Sequence, residues 1–229
     1  MQAVIFAAGK GTRMDPLTRD NSKLLLKVLG IPILERNLEQ LNNLVDEVIL
    51  VVGYRGELIQ EYFGKHYKNL KITYALQKEQ LGTGDAAKQA LPFLSGQCLF
   101  MNGDDLYDKQ DIQRILKKYP SILVAQAEHP ERFAVVETKD DKVTSLVEKP
   151  EHPKGNLVSV GMYFLDSSIF QRDIEKALRG EYEFTDYVRL WLKEKDLYFV
   201  VAKEWLPISI PENIVAAERV LKMRNMDSA

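Results

Sequence analysis

The stretch AAGKGTRMDPLTRDNSK, residues 7–23, follows directly on the apolar run Ala3-Val4-Ile5-Phe6. A buried strand that delivers the chain into a glycine-rich loop can present backbone N–H groups to phosphates. A dinucleotide fingerprint needs Gly-x-Gly-x-x-Gly, and the third glycine position here is Met14. A P-loop needs Gly-x-x-x-x-Gly-Lys-Ser/Thr, which is also absent. Two readings remain: a turn carrying solvated charges, or an anion cradle of another kind. Arg13 and Lys23 bear on the choice, because a polyphosphate needs several cations beside its backbone donors.

Outward from this loop, strand and helix patterns alternate. Val48–Val52 is a continuous apolar run ended by Gly53, and Leu34, Leu38 and Leu41 recur at helical spacing before it, with Pro32 near the helix start. Leu58, Ile59, Tyr62 and Phe63 mark a second helix, Leu70–Ala75 a strand, Thr83–Phe93 a third helix and Cys98–Met101 a further strand. A helix carrying Ile112, Ile115 and Leu116 follows. This order predicts an α/β fold with a mostly parallel, Rossmann-like sheet flanked by helices.

After about Ser121 short strands dominate: Ile122–Gln126, Phe133–Thr138, Val143–Val147 and Leu157–Leu165, with a hairpin turn at Lys139-Asp140-Asp141. Helices from about Ser168 and Thr185, a strand at Leu197–Ala202 and a helix at Pro211–Met223 complete the pattern. The reading is one domain over residues 1–229, with a nucleotide-binding half (about 1–120) and a strand-rich lid (about 121–229) making the sheet mixed.

The 229 residues, 45% apolar and 28% charged, suffice to bury a core without disulfides. Net charge is −2 with both signs interspersed, so no nucleic-acid face is indicated. No segment approaches the roughly 18 to 20 apolar residues of a membrane span. Cys98 is the single cysteine and lies in an apolar run, which predicts an inert core thiol and a cytoplasmic location.

The loop motif Ala7–Met14, Pro16-Leu17-Thr18 and Ser22-Lys23 resembles the signature of the sugar nucleotidyltransferases, or nucleoside-diphosphate-sugar pyrophosphorylases. The resemblance continues in order through Gln77 with Leu81-Gly82-Thr83-Gly84, Asn102-Gly103-Asp104, Val147-Glu148-Lys149-Pro150, Val160-Gly161-Met162-Tyr163, Glu183-Phe184-Thr185-Asp186 and Trp205 with Ile210-Pro211-Glu212. It spans essentially the whole chain.

The resemblance implies attack by a sugar-1-phosphate on the α-phosphorus of a nucleoside triphosphate, with release of pyrophosphate. Ala8, Gly9, Gly11, Thr12, Gln77, Gly82 and Thr83 would bind the nucleotide. Arg13 would stabilise the departing pyrophosphate, Lys23 would bridge the α-phosphate and the attacking phosphate, and Asp104 would hold Mg²⁺. Ala134, Glu148, Lys149, Ser159, Gly161 and Tyr163 would line the sugar-phosphate pocket. The stretch Leu76–Phe93 is most similar to uridylyltransferases acting on N-acetylglucosamine-1-phosphate, which favours UTP, with dTTP second. A glutamine at position 77 can donate to and accept from a pyrimidine edge.

Three positions depart from the family pattern. Pro207 stands where a second metal ligand, Asp or Asn, is expected. Ala134 replaces a glycine beside the sugar, and Ser22 and Leu24 replace prolines flanking Lys23. Asp105 adjoins Asp104, but strand alternation predicts that its side chain points elsewhere. Glu183 and Asp186 match the family in position, although Thr185-Asp186 also reads as an ordinary helix start. No hexapeptide-repeat segment follows the last helix, so acetyl transfer is not expected of these residues. Pro207 keeps a second hypothesis open, a catalytically impaired protein that senses nucleotide or sugar phosphate. A CTP-dependent phosphocholine-type cytidylyltransferase is the third. Sugar identity and any homo-oligomer are left open.

Overall fold

The computed structural model describes residues 1–177 and 180–227. Strand β1 (Gln2–Ala7) is followed by α1 (Ile33–Leu41), β2 (Glu47–Val52), α2 (Gly56–Phe63), β3 (Leu70–Leu76), α3 (Thr83–Ala90) and β4 (Gln97–Asn102). Strands β1, β2 and β3 run parallel side by side, with Ala7 opposite Val52 and Val52 opposite Leu76. The chain then crosses back over α3 and lays β4 parallel to β1 on its other edge, with Phe6 opposite Asn102. The order β4-β1-β2-β3 therefore reverses at the junction of β1 and β4. Open α/β sheets bind ligands outside the carboxyl ends of their strands at such a switch point.

Alternation along β1 and β4 explains why both read as unbroken apolar runs. Ala3, Ile5, Leu99 and Met101 face the core layer shared with α1, α2 and α4 (Lys109–Ile115). Val4, Cys98 and Phe100 face the layer shared with α3 and α5 (Phe184–Trp191). With helices on both faces, Ala3–Ile5 and Cys98–Met101 are buried throughout. Cys98 is fully enclosed, and burial pushes its thiol up to about 11, as expected of an inert core residue.

Most of the later strands join edge to edge with this sheet. The later strands are β5 (Asp105–Tyr107), β6 (Ser121–Gln126), β7 (Ala134–Lys139), β8 (Lys142–Glu148), β9 (Leu157–Asp166), β10 (Tyr198–Val201) and β11 (Trp205–Pro207), and α6 (Pro211–Asp227) closes the chain. Strand β9 pairs antiparallel with β4, placing Met162 opposite Met101, and also with β6. Ten strands thus form one mixed sheet ordered β7-β8-β10-β6-β9-β4-β1-β2-β3, with His66–Tyr67 as the outer strand beyond β3. Strands β5 and β11 form a separate antiparallel pair beside it. Among the described residues no helix is long and apolar enough to cross a membrane.

Two helices are shorter than their sequence pattern suggests. The third stops at Ala90 and yields to a 3-10 turn, Leu91–Phe93, because Pro92 brings no N–H to continue the ladder. The helix expected from about Ser168 is only a 3-10 turn, Ser167–Phe170. Phe170 packs edge-on against Phe100 and Tyr187, at 6.0 and 5.0 Å between ring centroids, which turns the chain inward. Residues 178–179 in the stretch that follows lie outside the described residues.

Candidate active site

The opening loop leaves β1 at Ala7 and enters a single 3-10 turn, Thr12–Met14, rather than a helix. Met14, at the expected third-glycine position, is fully buried and anchors the loop in the core. Gly11 caps the turn at φ +64°, a left-handed conformation that costs other residues about 1–2 kcal/mol. Its carbonyl accepts from the Thr18 hydroxyl at 3.0 Å. Lys23 opens a second 3-10 turn, Lys23–Leu25, where Ser22 takes over as the cap in place of the family's proline: its Oγ accepts from the Leu24 N–H at 3.3 Å.

The loop forms one wall of a cavity of about 600 Å³, also lined by Ala8, Gly9, Gly11, Thr12, Arg13, Lys23, Gln77, Gly82, Thr83 and Asp104. A neighbouring cavity of about 310 Å³ is lined by Ala134, Glu148, Lys149, Ser159, Gly161 and Tyr163. Arg13, Thr83, Asp104, Lys149 and Glu183 line both, so the two form one cleft over the switch point. Every residue expected at the site lies on its wall.

At the junction, Lys23 Nζ pairs with Asp104 Oδ2, the lysine side chain being 7% exposed and the aspartate 38%. Asp104 sits on the turn between β4 and β5. That turn is pinned from below by Asn37 of α1, whose Nδ2 donates to the Gly103 carbonyl at 3.0 Å and the Asp105 carbonyl at 2.9 Å.

On the smaller cavity, Glu148 receives the Lys149 ammonium at 3.2 Å and a hydrogen bond from Thr185 Oγ1 at 3.0 Å. Lys149 adopts φ +43°, which turns the chain before Pro150, and its N–H donates to the Phe133 carbonyl. Strand β9 shifts register against β6 between Ser159 and Met162, a bulge of the kind that re-aims side chains beside a site. Within it Gly161 has φ +73°, and a Cβ there would lie 2.0 Å from Asn102 Nδ2. Ser159 Oγ and Tyr163 Oη are hydrogen-bonded at 2.8 Å, and burial raises the Tyr163 phenol above its usual range.

The nucleotidyl transferase family model matches residues 2–221 of this chain. The chain belongs to that family. It is 36% identical over 223 residues to the bifunctional protein GlmU of Methanococcus maripaludis, across 95% of this chain and 53% of that protein. The chain thus spans about half the length of the GlmU relatives it matches. It is 34% identical over 235 residues to the UTP–glucose-1-phosphate uridylyltransferase AglF of Haloferax volcanii, across 97% of both chains. A UDP-glucose pyrophosphorylase complexed with UDP-glucose superposes with a TM-score of 0.86 at 20% identity, covering 97% of this chain and 98% of that one. That likeness shows the shared mixed α/β fold.

In this member of the nucleotidyl transferase family the side chain of Asp105 corrects the expectation from alternation. It lies on the wall of the smaller cavity, 8% exposed, with Oδ2 accepting from Asn102 Nδ2 at 3.3 Å and Tyr107 Oη at 3.4 Å. The alternation argument does not hold because Gly103-Asp104 breaks the strand, so Asp105 starts a new one. Burial, and then the charge of Asp104, push its carboxyl up to about 7.

Pro207 lies on the same wall, directly opposite Asp105 in the β5–β11 pair. Glu183 lines both cavities and accepts from Thr83 Oγ1 at 3.2 Å, whereas Asp186, one turn on, pairs with Arg189 at 3.0 Å. The helix does start here, with Glu183 in the cap position and Thr185 in the first turn of α5, its hydroxyl bonded to Glu148. Sequence reasoning missed Asn37, a polar residue on the apolar stripe of Leu34, Leu38 and Leu41. That misplacement was the available signal.

Proposed function

We propose that this protein transfers a nucleotidyl group from a nucleoside triphosphate, UTP first and dTTP second, to a sugar-1-phosphate, releasing pyrophosphate. The observation that carries this reading is the junction of the two cavities. Cations for polyphosphate (Arg13, Lys23, Lys149) and a carboxylate (Asp104) meet there, between a glycine-rich loop and a polar pocket. Phosphoryl-type transfer needs positioning and charge neutralisation more than acid–base groups, and this wall supplies those.

The triphosphate would lie along Ala8, Gly9, Gly11 and Thr12, with Arg13 on the departing pyrophosphate. Lys23 would hold the α-phosphate and the incoming phosphate oxygen together. Lys149 would neutralise the sugar phosphate, while Glu148 would accept from a sugar hydroxyl. Ser159, Gly161, Tyr163 and Ala134 would shape the pocket. The base would sit against Gln77, Gly82 and Thr83.

A divalent cation fits this donor set. Among the described residues no group of three or more His, Cys, Asp or Glu could enclose a metal. Asp104 with Asp105 beside it suits Mg²⁺, which takes one or two carboxylates and completes its shell with phosphate oxygens and water. Bound there, it would neutralise charge on the phosphates. Pro207 adds no oxygen, so the protein's share rests on the two aspartates. The buried thiol of Cys98 is compatible with a reducing, cytoplasmic location.

The test is pyrophosphate release from the protein with Mg²⁺, each nucleoside triphosphate and a panel of sugar-1-phosphates. Release with UTP and one or more sugar phosphates is expected. Nucleotide binding without release from any pair would overturn the reading in favour of a sensor.

A further inference from the structure

Resting on the reading that Gln77 meets the base, we propose that Asp85 decides which bases the cleft accepts, by holding the Gln77 amide as a pure hydrogen-bond acceptor. Gln77 follows β3, is 3% exposed and lines the larger cavity. Its main chain is fixed by an N–H bond to the Val52 carbonyl at 2.8 Å. Its side-chain nitrogen donates twice, to the Gly82 carbonyl at 2.9 Å and to Asp85 Oδ2 at 2.8 Å.

Neither partner has a proton to offer, so only the NH₂ end of the amide can occupy that place. Both amide protons are spent. Among the described residues no donor takes the remaining oxygen, Oε1, which is left for a ligand. Asp85 is itself held: Gln89 Nε2 donates to its other oxygen at 3.2 Å, and it sits in the first turn of α3, where the helix dipole favours a carboxylate.

An oxygen that can only accept matches a ring N–H. Uracil and thymine carry one at N3, whereas cytosine presents a lone pair at the same position. Against cytosine the Gln77 oxygen would face that lone pair, and the amide could not turn over without losing two hydrogen bonds. A site built to pair with a ligand N–H rejects an analogue lacking it far more strongly than an apolar pocket rejects a change of size. This narrows the dual role expected of the glutamine from sequence. Its donor half is consumed within the protein, and Asp85 is the positioning residue responsible.

The test compares UTP with CTP in the wild type, D85A and D85N, by kcat/KM for pyrophosphate release and by calorimetric affinity for UMP and CMP. The alanine variant frees one amide proton and lets the group rotate. Its UTP-over-CTP preference should fall about tenfold or more, on the scale of one lost discriminating hydrogen bond, chiefly through a raised KM for UTP. The asparagine variant still offers an oxygen to Gln77 and should keep the wild-type preference within about threefold. Equal loss of UTP and CTP in D85A, or an unchanged preference, would overturn the assignment to Asp85. A wild type that releases no pyrophosphate from UTP would instead overturn the enzymatic reading. The UMP and CMP affinities would still decide the role of Asp85 in that case.

Discussion

Lys23 and Asp104 lie 81 residues apart in sequence and are bound directly to each other at the centre of the cleft. The lysine is nearly enclosed and the aspartate half open, so the pair presents its carboxylate rather than its ammonium to solvent. The first prediction follows from that arrangement. Lys23→Ala should lower turnover by about 10²–10³, the usual loss for one well-placed transition-state donor. Because Asp104 stays half-solvated, the variant should melt within a few degrees of the wild type. Steady-state pyrophosphate release beside a thermal melt checks both halves. Near-normal turnover would remove Lys23 from the chemistry.

Gly9 offers a cleaner probe of the loop than Gly11. A methyl group at Gly9 meets nothing within 4 Å, and its φ is not left-handed, so Gly9→Ala should leave the fold untouched. If the triphosphate lies along this backbone, KM for the nucleotide should rise about tenfold, the scale of one disturbed charge-assisted contact. Gly11→Ala should do more, since its Cβ would come 3.0 Å from Lys23 Cβ at a positive φ. That variant should lose stability on the order of 1–2 kcal/mol as well as activity. Nucleotide KM and melting temperature, measured on both variants, separate the two effects.

Replacing Asn37 tests the support beneath Asp104. Asn37→Leu fits the apolar stripe of its helix but strands two buried carbonyls, of Gly103 and Asp105. The expected cost is about 1–3 kcal/mol of stability, with a fall in metal-dependent turnover as the turn loosens. Urea denaturation gives the first quantity and a Mg²⁺ titration of activity the second. A variant as stable and active as the wild type would mean the turn holds itself.

A pH-dependent contribution comes from the far end of the sheet. Burial opposes ionisation of Glu47, but hydrogen bonds from Lys71, Thr73 and Gln2 outweigh it and bring the carboxyl down to about 2 from 4.5. A depressed carboxylate stabilises the fold above its unfolded pKa, and that contribution disappears as pH falls through the folded value. The stability gap between wild type and Glu47→Gln should be full at pH 6 and shrink steadily from about pH 4.5 towards 2. Urea midpoints across that range test it. A gap independent of pH would show that the charge is not responsible.

Much of the central sheet was legible because parallel strands covered on both faces need unbroken apolar runs, as at Val48–Val52 and Cys98–Met101. The candidate site was legible for a related reason. Its residues follow strand ends, where glycines and charges interrupt those runs. The rest depends on contacts that sequence spacing does not encode. The pairing of Asp105 with Pro207 joins two three-residue strands a hundred positions apart, too short to leave a periodic trace. Asn37 interrupts the apolar stripe of its helix, but what it supports shows only once the turn is in view. The 3-10 turn at Ser167–Phe170 replaces a helix because ring packing on Phe100 outweighs local preference.

The antiparallel seam between β4 and β9 sets how the chain can be divided. Strand β4 lies at the centre of the sheet, yet one of its two neighbours arrives only with Leu157–Asp166. A fragment ending anywhere before that strand would carry the entire glycine-rich loop and still leave β4 with an open row of backbone donors and acceptors, and Phe100 without its ring partners Phe170 and Phe184. Such an edge pairs with whatever strand it meets. The two sides of the cleft therefore do not belong to segments that can be made separately. A nascent chain would hold its glycine-rich loop beside a self-adhesive edge until Leu157–Asp166 had emerged.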